Sequence, residues 1–177
     1  MLVDIFAGHH KVKKEIEICP PVTYQGGKQR IAKQILDIIE PDKNAVFHDF
    51  CCGSGAISIE LINRGYNPKN IVMLDKSPWG LFWKMIGNKT FDSKKFAKYC
   101  DSVPKDKTKI KGHMQMLFEN PVQTGESVYV FLLLQTATFG GAAVWIENKK
   151  WKKSGGFRNL WEPTETSNRR SHVNPMM

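Results

Sequence analysis

The sequence predicts an α/β fold, and two stretches predict it. The run Val46-Phe47-His48-Asp49-Phe50 leads into Cys51-Cys52-Gly53-Ser54-Gly55, and Ala56-Ile57-Ser58-Ile59-Glu60-Leu61-Ile62 follows with helical spacing. That order reads as a strand, a tight glycine turn and a helix. Ile71-Val72-Met73-Leu74 then reads as a second strand, with Asp75 at its C-terminal end.

Taken in order, the chain starts with a stretch from Met1 to Pro20 that carries little pattern. Asp4-Ile5-Phe6-Ala7-Gly8 imitates a ligand-binding turn, but His9-His10 stands where a second glycine is needed and no apolar helix follows. Two adjacent histidines point in different directions on any regular element, so no metal site is expected there. Next come Pro20-Pro21-Val22-Thr23-Tyr24-Gln25-Gly26-Gly27-Lys28. This is a loop in which glycines permit close approach to a ligand and Lys28 can reach a carboxylate. Ile31, Ile35, Leu36, Ile38 and Ile39 give one apolar helix face, stopped at Pro41.

The glycine turn is suited to a polar or anionic group. Gly53 and Gly55 allow positive φ and admit a ligand without a Cβ in the way. The helix that follows offers N–H groups and the positive end of its dipole. Asp75 lies about 20 residues past the turn, where nucleotide-binding folds place a carboxylate on ribose hydroxyls. A dinucleotide fingerprint wants a third glycine three residues after the second, and Ser58 stands there instead.

D-F-C-C-G-S-G, from Asp49 to Gly55, resembles the D/E-x-F-x-G-x-G motif of S-adenosylmethionine (SAM) methyltransferases. Y-Q-G-G-K, from Tyr24 to Lys28, resembles the W/Y-x-G-G-K motif of Dam-type DNA adenine-N6 methyltransferases. The two motifs and the strand ending in Asp75 come in that family's order. Phe131-Leu132-Leu133-Leu134-Gln135-Thr136-Ala137-Thr138-Phe139-Gly140-Gly141 is similar to its F-L-x-L-N-x-x-x-F-N-G segment, with Gly140 where the family often has Asn. The resemblance implies a Rossmann-like SAM-dependent methyltransferase fold with a helical and β-hairpin target-recognition region. It implies SAM as cofactor, held by Tyr24, Gln25, Gly26, Gly27, Lys28, Asp49, Phe50, Gly53, Ser54, Gly55, Asp75, Lys76 and Ser77. Asp49 would face the methionine end and Asp75 the ribose. It implies residues 1–88 as the SAM-binding part and 89–177 as the recognition region, in a cytoplasmic protein encoded by a bacterium or phage.

After Asp75, Ser77 is a good N-cap and Pro78 a good first-turn residue. Leu81, Phe82, Met85 and Ile86 make the apolar face of that helix, and Trp79 either stacks on the SAM adenine or packs as an ordinary tryptophan. Lys89 to Lys111 reads as a basic, mostly helical connector broken at Pro104. Gly125 to Thr138 is ambiguous: Val128 to Leu134 fits a buried strand by composition, and the resemblance implies a helix for the segment. Val144 to Lys152 alternates around a polar turn, which predicts a β-hairpin with a lysine-rich tip.

Composition sets bounds. The 177 residues suffice for a domain with a core, and 41% hydrophobic with 24% charged residues is close to a soluble average. No apolar run approaches the length that spans a bilayer, and no secretory signal pattern opens the chain, which points to the cytoplasm and to no membrane partner. Four cysteines without a C-x-x-C pattern exclude a zinc site of that kind and suggest buried, reduced thiols. The net charge of +9 is unevenly spread, with +6 between Lys84 and Lys111 and +5 between Lys149 and Arg170. Such segregation favours a polyanion. Double-stranded DNA is the expected partner, touched by Lys149, Lys150, Lys152, Lys153, Arg158, Asn159, Asn168, Arg169 and Arg170. Trp151, Phe157 and Trp161 lie among these residues as candidates for stacking or wedging.

Adenine methylation in the resembled family uses a D/N-P-P-Y/F motif to hold the amino group and stack the flipped base. No such motif occurs in this sequence. The expectation is therefore no catalytic residue in this chain, a second polypeptide or further segment that carries the motif, and a sheet with an exposed edge. A non-catalytic DNA-binding or regulatory subunit, or a methyltransferase acting on RNA or a small molecule, are the alternatives.

Overall fold

The computed structural model describes residues 17–158. The element order is α1 (Ala32–Ile39), β1 (Phe47–Phe50), α2 (Ala56–Asn63), β2 (Ile71–Leu74), α3 (Pro78–Gly87), α4 (Ser93–Asp101), α5 (Lys107–Glu119), α6 (Ser127–Ala137), β3 (Val144–Glu147) and β4 (Lys150–Lys153). The α/β class is met. β1 and β2 pair in parallel, from Phe47 opposite Ile71 to Phe50 opposite Leu74. β3 and β4 pair antiparallel as the expected hairpin, and its turn holds Asn148 at φ 49° and Lys149 at φ 58°. Two consecutive left-handed residues match the right-handed twist of the flanking strands.

Local chemistry explains the boundaries. Ser77 caps α3, its Oγ accepting from the Trp79 N–H at 3.3 Å, with Pro78 in the first turn. Asp92 and Asp106 cap α4 and α5 in the same way, each accepting from a backbone N–H. Pro104 lies between those two helices, as expected of a residue that cannot continue one.

The segment that fits a strand by composition is the helix α6, and it is the centre of the molecule. α6 is apolar on nearly every side, so its composition carries no helical period, and such a helix must be surrounded. It is: Phe131, Leu132, Leu133 and Leu134 are each 0% exposed. α3, α4, α5 and β3 all pack on it. Each such side chain contributes about 1.5–3 kcal/mol by leaving water. Trp79 belongs to this core, edge-on to Phe131 at 5.0 Å and to Tyr24 at 5.8 Å. Its position excludes stacking on a ligand.

The parallel pair is covered differently. Paired residues share a face, so Phe47, Asp49, Ile71 and Met73 lie on one side and His48, Phe50, Val72 and Leu74 on the other. The first side meets the helices: Asp49 bonds Ser58 of α2, and Met73 reaches Gly55. The second side leaves Phe50 68% and Leu74 46% exposed. Among the described residues β1 and β2 each have one strand neighbour, and their other edges pair with no described strand. Of the residues assigned by spacing to the apolar face of α1, Ile31, Ile38 and Ile39 are exposed instead; Ala32 and Leu36 carry the burial. No helix of the described residues is long and apolar enough to cross a membrane.

Candidate functional site

The turn between β1 and α2 is held from three directions. Cys51, Gly53 and Gly55 all have positive φ, at 62°, 51° and 78°. The Gly53 N–H donates to Asp75 Oδ2 at 2.8 Å, and Trp83 Nε1 donates to the Gly53 carbonyl at 2.8 Å. The Gly55 N–H donates to Cys52 O at 2.8 Å. The turn thus uses both glycine N–H groups to hold its own shape. Both glycines also sit under aromatic rings. A Cβ on Gly53 would stand 3.0 Å from the Tyr24 ring, and one on Gly55 would stand 2.4 Å from the Trp83 ring.

Beside this turn is a cavity of about 540 Å³, within the range of small-molecule sites. The Tyr24–Lys28 loop and the Asp49–Ser54 turn form two of its walls, and Ile35, Ile39 and Ile57 form an apolar side. The structure thus brings two sequence motifs, more than 20 residues apart, to one opening. Asp49 accepts from Ser58 Oγ at 2.7 Å, which fixes the carboxylate and explains why a serine stands three residues after Gly55. Lys28 Nζ turns back to Gly26 O at 2.8 Å rather than onto a carboxylate. Gln25 is tied away from the cavity by its N–H, which donates to Gly141 O at 2.7 Å.

Asp75, Lys76 and Ser77 lie outside the cavity lining, though Asp75 bonds Gly53, which is part of it. Asp75 Oδ1 accepts from both the N–H and the hydroxyl of Ser77, and Oδ2 accepts from Gly53. A carboxylate has about four acceptor positions, so about one remains for a ligand hydroxyl. Burial, with the nearby Asp49 and Asp75 charges, pushes the Cys52 thiol up to about 12. Cys51, at the cavity, and Cys19 are exposed, contrary to the expectation of buried thiols. No group of three or more metal-ligating side chains occurs among the described residues, and His9 and His10 lie outside them.

The hairpin places Lys149, Lys150 and Lys152 in the open. Lys153 differs: its ammonium lies 4.8 Å from the Phe118 ring centre and 4.7 Å from that of Phe157. Arg158 Nε donates to Thr138 O at 2.8 Å, which ties its guanidinium to the end of α6. Trp151 and Phe157 are buried core residues, which corrects their reading as stacking aromatics. Asn159, Trp161, Asn168, Arg169 and Arg170 lie outside the described residues.

Three residues escaped the sequence reading. Trp83 holds the glycine turn, but its sequence signal is that of any helix-face aromatic. Gln135, 0% exposed, donates to Gly141 O and Ala142 O and accepts from the Val144 N–H, each at 3.1 Å. It joins α6 to the start of the hairpin, and its place in a run of apolar residues was the clue. Phe139 is 76% exposed on the turn that Gln135 pins, close to the Tyr24–Lys28 loop.

The geometry brings together the Asp49 carboxylate of β1, a glycine turn and a tyrosine–glycine loop at one cavity. Residues 24–78 match the family model of the D12 class N6 adenine-specific DNA methyltransferase. The matched span begins at Tyr24 and ends at Pro78, so it encloses the cavity, the turn and Asp75. It leaves α4 to the hairpin outside. For the D12 class, the match agrees with the family that the sequence motifs resemble, and it relates this chain to DNA adenine methyltransferases. No curated protein and no solved structure matches the chain.

Proposed function

We propose that this chain is the SAM-binding and DNA-recognition portion of a site-specific DNA adenine-N6 methyltransferase. The cavity between the Tyr24–Lys28 loop and the Asp49–Gly55 turn, inside the D12-matched span, carries the reading. The residues fit SAM: a fixed carboxylate at Asp49, the exposed Gly26 and Gly27 on the cavity wall, apolar side walls, and one acceptor position left on Asp75. SAM supplies the activated methyl group. The chain's own residues bind and orient: Asp49 and Lys28 face the amino-acid end, and Asp75 takes one ribose hydroxyl. In this reading β1 and β2 begin a Rossmann-like sheet, with residues 1–88 serving the cofactor and 89–177 the DNA.

On the DNA side, Lys149, Lys150 and Lys152 meet phosphates, and exposed Phe139 contributes an aromatic surface. Since the sequence holds no D/N-P-P-Y/F segment, the group that holds the adenine amino nitrogen comes from a second polypeptide or a further segment. The edge of β1 that pairs with no described strand and the exposed Phe50–Leu74 face suit that addition. The absent motif equally favours a non-catalytic DNA-binding subunit, and methylation assays decide between them. Methyl transfer from radiolabelled SAM that needs a D-P-P-Y-bearing polypeptide supports the split enzyme.

Calorimetry with SAM tests the cofactor assignment. Asp75→Ala is expected to weaken binding by about 1.5–3 kcal/mol, as loss of a hydrogen bond to a charged group does. Unchanged affinity removes Asp75 from the site. Duplex binding tests the hairpin. Changing Lys149, Lys150 and Lys152 together to Ala should weaken binding to every sequence and reduce the salt slope by roughly one unit per lost phosphate contact. An unaltered slope makes the tip ordinary surface.

A further inference from the structure

The glycine turn depends on an indole from α3. Gly53 is buried, and both polar groups of its backbone are engaged by side chains: the N–H by Asp75 and the carbonyl by Trp83. Trp83 also supplies the surface against which Gly55 packs, closely enough that a Cβ there would overlap the ring at 2.4 Å. The ring is itself set by Phe82, edge-on at 4.7 Å, and Phe82 is 0% exposed. A path of direct contacts therefore runs from the central core to the carbonyl of one residue in the candidate cofactor turn.

We infer that Trp83 is a positioning residue: its N–H holds the Gly53–Gly55 turn in its ligand-ready shape and so sets affinity for the cofactor without touching it. The physical reason is the left-handed backbone. Gly53 has many other conformations open to it, and a buried carbonyl bonded on its outer side selects one. Without the indole donor that carbonyl loses its partner, and the turn is released from α3. The inference deepens the SAM reading of this cavity in its consequence for affinity, but the hold on the turn stands apart from it.

The test uses the full chain and the Trp83→Phe variant, which keeps an aromatic ring and removes the donor. Amide hydrogen exchange is followed at Gly53 and Gly55, whose N–H groups are bonded, and at Leu132–Leu134 as a report on the core. The expected result is exchange about ten-fold faster at the two glycines, with the α6 amides unchanged; this is the ratio given by about 1.4 kcal/mol. In the same variant SAM affinity should fall by a similar factor. Unchanged exchange at Gly53 and Gly55 overturns the inference. Equal loss of protection in the turn and in α6 also overturns it, since Trp83 would then be an ordinary core ring. If faster glycine exchange leaves SAM affinity unchanged, the turn is held by Trp83 but affinity is not, and the inference falls in that part. If the wild-type chain binds no SAM, the cofactor reading falls, while the exchange comparison still decides what holds the turn.

Discussion

The parallel pair β1/β2 and the helical core around α6 treat their apolar residues in opposite ways. Around α6, every large apolar side chain from Phe131 to Leu134 is enclosed, along with Trp79, Phe82 and Met114. On the sheet, Phe50 and Leu74 point outward while Met73 and Asp49 on the other face meet helices. Parallel sheets are normally covered on both faces. The difference teaches that hydrophobic patterning marks what must be buried, not what buries it. The core finds its cover within residues 17–158, and one face of the sheet does not.

Substitution across the two regions should give the largest contrast. Phe131→Ala is expected to cost about 3–5 kcal/mol, since the cavity is wholly enclosed. Phe50→Ala, on the open face, should fall within about 0.5 kcal/mol of the parent chain. Urea denaturation of both variants checks this, and a costly Phe50→Ala would mean that something already covers the face.

Glycines sharpen the comparison at smaller scale. Gly55 and Gly65 have nearly equal φ, 78° and 79°, but only Gly55 lies under a ring. Gly65→Ala carries left-handed strain alone, about 1 kcal/mol. Gly55→Ala adds the Trp83 overlap and should cost at least about 2 kcal/mol more than Gly65→Ala, as overpacking does. Equal costs in thermal melts would show that the ring yields.

Acidity should give the smallest effect, with the same sign on two groups in the helical region but in two separate pH ranges. Burial lowers the His113 pKa, so protonation favours the unfolded chain. Its contribution is constant above the ordinary value of about 6.5, and stability is lost as pH falls below that. Glu126 is lowered by hydrogen bonds from Tyr99 and Lys95, and by the Lys95 charge. It adds stability above the ordinary carboxylate range, which is lost as pH falls through its folded value. His113→Gln should flatten the fall in stability that begins below about pH 6.5 while leaving the acid limb below about pH 4.5. A profile unchanged by that substitution would remove His113 as the cause.

Much of this molecule was legible in the order of residues. The strand–turn–helix at Val46–Ile62, the strand ending at Asp75, the Ser77-Pro78 cap and the hairpin after Val144 all follow from short-range rules, because period, glycine position and capping act within a few residues. The α6 segment lay at the limit, since a helix apolar all round and a buried strand look alike without their surroundings.

Other features were decided only in three dimensions. Trp79 and Trp83 are four residues apart on one helix with similar sequence signals, yet one fills the core and the other grips Gly53. The lysines from 149 to 153 form one charge run, yet Lys153 is drawn onto two rings. Asp75 was legible as an acid at a strand end, but its bonds to Gly53 and Ser77 were not. Local sequence determines which conformation a segment prefers and which chemistry it carries. Partners distant in the chain determine how much of that chemistry is already engaged, since hydrogen bonds and ring contacts form only where the fold brings the groups within reach.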